Sequence, residues 1–184
     1  SDLKGSLRWI YELFHKATGA EYLSFAILDK FPQNYRRYTA GINGNILLDG
    51  TNNPPLQNDY IDSVIDTNQS LILPNIDFAE GPKIDTLFIS CGQKSLLALP
   101  IVCLGRPVGA LILGSPQPGR FRRHEMLLAE ILLAAIVPLI NNEVSRRLIQ
   151  ERDHYLTAIS SFETSLENIN SIEAMYDLGA ETLL

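Results

Sequence analysis

Residues 95–114, SLLALPIVCLGRPVGALILG, decide the fold of this chain. The stretch contains two apolar runs, residues 96–102 and 107–113, which are separated by Leu104, Gly105 and Arg106. Two short apolar runs joined by a few residues that include glycine are typical of a β-hairpin. Because almost every position in both runs is apolar, we expect both strands to be inner strands of a sheet that is covered on both faces.

The segments around the hairpin predict an α+β fold, in which helices lie on the faces of an antiparallel sheet. Apolar residues at helical spacing predict a first helix that ends near Gly19. Residues 21–29 alternate as a strand, so Ser24, Ala26 and Leu28 share one face and the residues between them the other. We also expect strands at residues 35–40, 46–48 and 71–73. Helices are predicted at residues 58–67 and from Phe121 onward. Residues 49–55 are predicted to form a loop, and residues 77–94 are predicted to form a loop with one short helix.

Composition and charge exclude several classes of protein. The 184 residues are 46% hydrophobic, which suits a globular domain with a sizeable core. Fifteen basic residues against 21 acidic ones give a net charge of −6, and without a basic block we expect no nucleic-acid partner. The longest apolar run, residues 126–140, contains Glu130 and Pro138 and is predicted to be too short to span a bilayer. With no visible signal peptide, we expect a cytoplasmic protein without membrane contact.

The long C-terminal helix predicts a dimer. A helix of this length cannot stay buried against one domain, so its distal half requires another helix, most simply its own copy. We therefore expect a globular domain over residues 1–147 and a coiled-coil linker over residues 148–184 that leads to a further domain beyond this chain. The predicted seam of the homodimer contains apolar residues at three- and four-residue steps: Tyr155, Ile159, Phe162, Leu166 and Ile169.

Four segments in order resemble the GAF domain family, the ligand-sensing modules of signalling proteins. They are AEYLSFAILD at residues 20–29, SVIDTNQSLILPNID at 63–77, the hairpin and the helix after it. The resemblance covers about residues 7–147 and implies a six-stranded antiparallel sheet with helices on one face and a pocket on the other. It further implies a regulatory domain, not an enzyme, from a histidine kinase, a nucleotide cyclase or a transcriptional activator.

The resemblance leaves the ligand and any cofactor unknown. Ser24 stands where cyclic-nucleotide-binding members present a serine to their pocket, but residues 114–126 lack the asparagine and lysine of the NKFDE signature of those members. Cys91 is followed by glycine and not by the histidine that is common where bilins attach. The three histidines have no zinc-ligand spacing, so we expect no metal site.

We expect a small ligand between the strand face that bears Ser24 and the segment 77–94, which acts as a lid. Ala26 is small enough to leave room, and the hydroxyls of Ser24 and Ser95 orient a polar group. The predicted ligand contacts are Ser24, Ala26, Leu28, Ile84, Leu87, Phe88 and Ser95.

Two alternatives to a ligand-binding domain stay open. In the first, Phe78, Leu87 and Phe88 fill the pocket and the chain is a dimerisation scaffold without a ligand. In the second, Cys91 and Cys103 serve a thiol-dependent reductase similar to the methionine sulfoxide reductases, which needs an exposed thiolate of low pKa and a resolving partner. The arginine pairs at residues 36–37 and 122–123 are predicted to be solvated.

Overall fold

A computed structural model describes residues 3–28, 35–41, 45–53, 59–78 and 83–181 of the chain. The elements in these residues follow the order α, β, β, β, α, β, α, β, β, α, with a short 3₁₀ turn after the fourth strand. Their bounds are α1 Leu3–Thr18, β1 Tyr22–Leu28, β2 Tyr35–Ala40, β3 Ile46–Asn53, α2 Tyr60–Thr67, β4 Leu71–Leu73, the turn Ile76–Phe78, α3 Thr86–Ser90, β5 Ser95–Cys103, β6 Arg106–Ser115 and α4 Arg123–Glu181.

The described strands form one six-stranded sheet in the order β3-β2-β1-β6-β5-β4, and all neighbouring strands are antiparallel. The predicted hairpin is β5–β6, and both of its strands lie inside the sheet, so the predicted α+β class is confirmed. Leu104 and Gly105 join them with φ of 52° and 76°. Positive φ at both central residues is typical of a type I′ turn, whose twist matches that of the two strands.

The strand β3 is longer than the sequence predicts. Residues 49–53 were predicted to be loop, but they continue β3 and pair with β2 up to Tyr35 and Asn53. Two register shifts interrupt this pairing, after Arg37 and after Thr39. Such irregularities break the period-two pattern on which the prediction depends, which explains why the strand was predicted to be too short. Residues 54–55 of the predicted loop lie outside the described residues.

The chain divides into two compact units, Ser1–Asn141 and Asn142–Leu184. The first unit contains the sheet and the beginning of α4, and the second contains the rest of that helix. A boundary between sensor and linker at residues 147 and 148 stays a prediction.

The beginning of α4 corrects one expectation. Residues Arg123–Asn142 have a mean hydropathy of 1.6 and are long and apolar enough to cross a membrane, so this run is not too short. One such helix is weak evidence for a membrane span, since core helices of soluble domains pass the same test. Four side chains of this segment are buried: Ala129, Leu133, Ile136 and Ile140. Leu127 and Ile131 are exposed.

The two faces of the sheet have separate cores. On one face α2 and Phe88 of α3 pack against alternate residues of β1, β5 and β6 and form a single apolar cluster. The residues between them, such as Leu23, Leu97 and Leu111, are also fully buried but belong to the opposite face, because successive strand side chains alternate. The helix α1 contacts β1, β2 and β3, and its buried residues are separate from the α2/α3 cluster. We call the two sides the α2/α3 face and the α1 face.

Candidate ligand-binding site

Polar side chains are buried on the α2/α3 face where apolar ones are expected. Ser24 of β1 pairs with Thr39 of β2, and Ala26 pairs with Arg37, so these side chains share a face. Ser24 and Thr39 are fully buried and bond each other through their hydroxyls at 2.8 Å, while Arg37 is only 3% exposed. We call the residues that meet here the polar cluster: Tyr22, Ser24, Arg37, Thr39, Tyr60 and Asp85.

Arg37 is the centre of the polar cluster. Its Nη1 lies 3.0 Å from Oδ2 of Asp85, and its Nε donates to Oγ of Ser24 at 3.3 Å. Its Nη2 donates to the hydroxyls of Tyr22 and Ser24, at 3.1 Å and 3.3 Å. Burial of a charged group is costly unless the group is paired and its hydrogen bonds are satisfied. Every nitrogen of this guanidinium has a partner, which explains how the fold tolerates it.

Asp85 connects α2 and α3 to the sheet. Its Oδ1 accepts the backbone N–H of Phe88 at 2.7 Å, as an N-cap of α3, and its Oδ2 accepts the Tyr60 hydroxyl at 2.6 Å. The same Oδ2 binds Arg37. One carboxylate therefore joins β2, the first residue of α2 and the start of α3.

Burial and neighbouring charges shift the pKa values of Tyr22, Tyr60 and Arg37. Burial, with a further contribution from Asp85, raises the pKa of Tyr22 to about 12, although Arg37 opposes the shift. Burial and Asp85 also raise the pKa of Tyr60 well above its ordinary value, so both phenols stay neutral and able to donate. Burial alone would lower the pKa of Arg37, but Tyr22, Tyr60 and Asp85 more than offset this and raise it. The two phenols thus stay neutral, and the guanidinium stays charged.

Apolar side chains surround the polar cluster. The ring of Tyr22 meets that of Phe88 edge to face, with centroids 5.1 Å apart. Ala26 pairs with Ala110, so the centre of this face carries small side chains below α2. Larger ones border them: Tyr35, Ile61, Val64, Ile65, Leu96 and Ile112.

One buried polar atom on the α2/α3 face has no hydrogen-bond partner among the described residues. Gln93 is 2% exposed and donates from Nε2 to the carbonyl of Cys91 at 2.8 Å, but its Oε1 accepts no hydrogen bond within the described residues. A Cβ on Gly114 would lie 2.9 Å from that Oε1 and 2.7 Å from Cε2 of Phe88, so Gln93 and Phe88 both border Gly114 of β6. A buried unpaired acceptor costs about 1–3 kcal/mol, so it marks a place where a donor is missing.

The structure brings together most of the predicted ligand contacts. Ser24, Ala26 and Phe88 are buried on the α2/α3 face, and Leu28 and Ile84 pack against the same cluster. Leu87 is half-buried and is not among the residues of that cluster, and the side chain of Phe78 lies outside the described residues.

Ser95 is the exception among the predicted ligand contacts. Its strand neighbours Leu96 and Ala98 pack in the α2/α3 cluster, so alternation puts Leu97 and Ser95 on the opposite face. The Ser95 hydroxyl donates to the carbonyl of Gln117 at 2.8 Å. The expectation that Ser95 helps to orient a ligand beside Ser24 was therefore wrong.

The sequence reasoning missed the charged centre of the site. Arg37 was predicted to be solvated as part of a basic pair, and the structure buries it, while Arg122 and Arg123 are exposed as expected. Alternation along β2 could have found Arg37, because it shares a face with Tyr35 and Thr39. Asp85 stands directly before a short helix, as N-cap residues do, but nothing in the sequence assigns it to Arg37.

The two thiols do not form a pair within the chain. Cys91 follows α3 and Cys103 ends β5, and a nine-residue strand of this kind is roughly 26 Å long from first to last residue. Burial raises the pKa of both thiols, which disfavours the thiolate. The described residues also contain no group of three histidine, cysteine or acidic side chains that could hold a metal ion.

The comparison with known families agrees with the resemblance seen in the sequence. The sequence model of the GAF domain matches residues 2–137, about three quarters of the chain. The chain belongs to the GAF domain family. A search among curated proteins finds no match.

Solved GAF domains of signalling proteins share the fold. The GAF domain of a phosphoenolpyruvate-protein phosphotransferase from Coxiella burnetii is 18% identical, with 80% of this chain and 88% of that chain covered and a TM-score of 0.64. The GAF domain of a two-component sensor histidine kinase from Bacillus halodurans is also 18% identical, with 74% and 95% covered and a TM-score of 0.58.

An enzyme has the same fold. The free methionine-R-sulfoxide reductase from Neisseria meningitidis, solved in complex with its substrate, is 13% identical to this chain. The match covers 79% of this chain and 81% of the reductase, with a TM-score of 0.57. Identities at this level show the fold alone, so the chemistry of this GAF domain must be argued from its own residues.

Proposed function

We propose that this GAF domain is a small-molecule-sensing regulatory module of a cytoplasmic signal-transduction protein. The observation that carries the proposal is the polar cluster, with its Arg37–Asp85 ion pair, buried beside the unpaired oxygen of Gln93. A buried ion pair contributes little stability over apolar packing, so a charged cluster in the core is better explained by recognition. GAF domains are generally regulatory modules, which also supports a regulatory function for this chain.

The cluster also suggests how a ligand acts. Asp85 caps α3 and accepts from Tyr60 at the start of α2. A ligand that takes over either partner of the Arg37–Asp85 pair changes how α2 and α3 are held on the sheet. Because a ligand shifts an equilibrium only by its different affinity for two states, this exchange of partners is the step that we assign to sensing.

A ligand-free dimerisation scaffold is the second candidate. The observation in its favour is that every nitrogen of Arg37 and both oxygens of Asp85 have partners in the chain, while Phe88 and Tyr22 pack against each other. In that case the α2/α3 face is a structural core and not a binding site. The unpaired acceptor of Gln93 argues against that conclusion, because a finished core satisfies its polar atoms.

Native mass spectrometry of the purified chain separates the two candidates. A sensor is expected to carry a co-purified small molecule that is lost when Arg37→Gln and Asp85→Asn are combined. This pair of substitutions removes both charges; asparagine keeps the size and the capping oxygen of Asp85, and glutamine keeps a shorter polar side chain at position 37. A native chain that carries no adduct, and gains none on incubation with a cytoplasmic metabolite extract, supports the scaffold.

We also propose that the chain forms a homodimer through the second unit. Ile149, Leu156 and Ile159 are each more than half exposed on the helix, at steps of seven and three residues, which suits a coiled-coil seam. Of the predicted seam, only Ile159 has a described side chain; those of Tyr155, Phe162, Leu166 and Ile169 lie outside the described residues. Such a seam would pass a change in the sensor unit along α4.

Sedimentation of the whole chain beside a version that ends at Asn142 tests the dimer. We expect the whole chain to sediment as a dimer at micromolar concentration and the shorter one as a monomer. Two monomers would contradict the proposed seam, and two dimers would assign the interface to the first unit, whose Trp9, Leu127 and Ile131 are exposed.

A further inference from the structure

We propose that the ligand of this site is a small zwitterion of the α-amino acid class. Its carboxylate binds Arg37 in place of Asp85, and its ammonium group binds the carboxylate of Asp85 that is thereby released. The inference rests on the proposed sensing function and names the chemical class that the same site recognises.

Charge balance is the first argument. Arg37 and Asp85 are both nearly inaccessible to water, and their side chains lie 3.0 Å apart at the closest approach. A ligand with a single charge can pair with only one of them and leaves the other buried and uncompensated, which is strongly unfavourable. A ligand with one charge of each sign inserts into the pair and leaves each side chain with a partner, so the site stays neutral throughout.

The hydrogen-bonding groups supply the second argument. On the Arg37 side, the hydroxyls of Ser24 and Tyr22 adjoin the guanidinium and can donate to a carboxylate. On the Asp85 side the carboxylate is the acceptor, and its Oδ2, which also accepts from the Tyr60 hydroxyl, can take a new donor in place of Arg37. An ammonium group has three donors and no acceptor, whereas a dicarboxylate or a cyclic phosphate brings no cation to this side.

The surroundings supply the third argument. Beyond the polar cluster this face is apolar, and Ile61 and Val64 of α2 belong to the same buried cluster as Ala26 and Ala110 of the sheet. A charged or strongly polar ligand side chain would lose its hydration there without a partner. The amino acid that fits the face therefore carries an apolar side chain.

Calorimetric titration of the whole chain tests the ligand class. The probes are the twenty protein amino acids, then the 2-oxo acid and the primary amine that carry the side chain of the tightest binder, and cyclic AMP and cyclic GMP. We expect an apolar amino acid to bind, and both single-charge analogues to bind at least tenfold more weakly. The proposal is overturned if no amino acid binds, or if an oxo acid or a cyclic nucleotide binds as tightly.

Two double variants locate the binding. Arg37→Gln with Asp85→Asn is expected to weaken the amino acid at least tenfold. The matched control is Arg8→Gln with Glu12→Gln, which removes an exposed ion pair with a 3.8 Å contact from α1 and is expected to leave the affinity unchanged. A cyclic nucleotide that binds the native chain but not the first variant would contradict the zwitterion and leave the sensing site intact. An amino acid that binds both variants equally would contradict the site itself.

Discussion

The two faces of one sheet use the same strands for different purposes. On the α1 face, Leu23, Phe25 and Ile27 of β1 are buried and apolar. One residue along the chain, on the α2/α3 face, Tyr22 and Ser24 are just as buried and belong to the polar cluster around Arg37. Apolar burial stabilises a fold by roughly 25 cal/mol per Å², whereas a buried ion pair contributes little. The comparison shows that stability comes chiefly from packing, and that the polar cluster needs a functional explanation.

The largest effect is expected where the ion pair is broken on one side. Asp85→Ala leaves Arg37 buried without its anion and removes the cap of α3, so the free energy of unfolding should fall by about 4 kcal/mol. Arg37→Gln with Asp85→Asn leaves no unpaired charge, so its free energy of unfolding should fall by clearly less than that of Asp85→Ala. Urea denaturation measures both values; a double variant as unstable as Asp85→Ala would mean that the pair itself stabilises the fold.

Adjacent residues of β6 provide a matched test of the two faces. Leu111 and Ile112 are both fully buried, and Ile112 packs in the α2/α3 cluster while Leu111 lies on the other face. Truncation of either to alanine should lower the free energy of unfolding by about 3 kcal/mol, because each leaves a cavity. Only Ile112→Ala should change the affinity for a ligand measured by calorimetry. Equal effects of the two variants on affinity would contradict the division between the faces.

A smaller effect is expected at the unpaired amide. Gln93→Met replaces the orphaned oxygen by an apolar side chain of similar length and also removes the hydrogen bond to Cys91. The two changes oppose each other, so the free energy of unfolding in urea should stay equal or rise by about 1 kcal/mol. The same variant should weaken ligand binding. A clear loss of stability with unchanged binding would make Gln93 an ordinary structural residue.

The smallest effect concerns pH. Burial raises the pKa of Asp59 above its ordinary value of 3.8, although Asp59 caps α2 through a 2.8 Å bond from the Asp62 N–H. Between 3.8 and the raised value the folded chain holds more protons than the unfolded one, so stability falls as the pH rises. Asparagine caps equally well without this charge, so Asp59→Asn should gain stability relative to the native chain from pH 3.5 to pH 7.

Urea denaturation at several pH values checks the effect at Asp59, with the exposed Asp153→Asn as control. The control is expected to follow the native chain across the whole range. A relative loss of stability of Asp59→Asn toward pH 7 would contradict the sign of the shift.

The sequence was most informative where a pattern is local. The bounds of β2, β5 and β6 were predicted within one or two residues. Runs of apolar residues and a glycine in the turn are local patterns that indicate strands and a hairpin directly. The strand β3 was predicted to be too short because its pairing with β2 shifts register. The polar cluster joins residues that are up to 63 positions apart, from Tyr22 to Asp85, and no local pattern couples them. Arg37 was predicted to be solvated for that reason, since an arginine without a known partner is usually at the surface.

The most direct test of the account compares urea unfolding of the native chain and of Arg37→Gln with Asp85→Asn, each with and without the tightest-binding amino acid. Without ligand, each chain gives its own reference free energy of unfolding. With ligand at a hundred times its Kd, the native chain should gain about 2.7 kcal/mol and the double variant almost nothing. An equal gain in both chains, or no gain in the native chain, would contradict the claim that the polar cluster is the ligand-binding site.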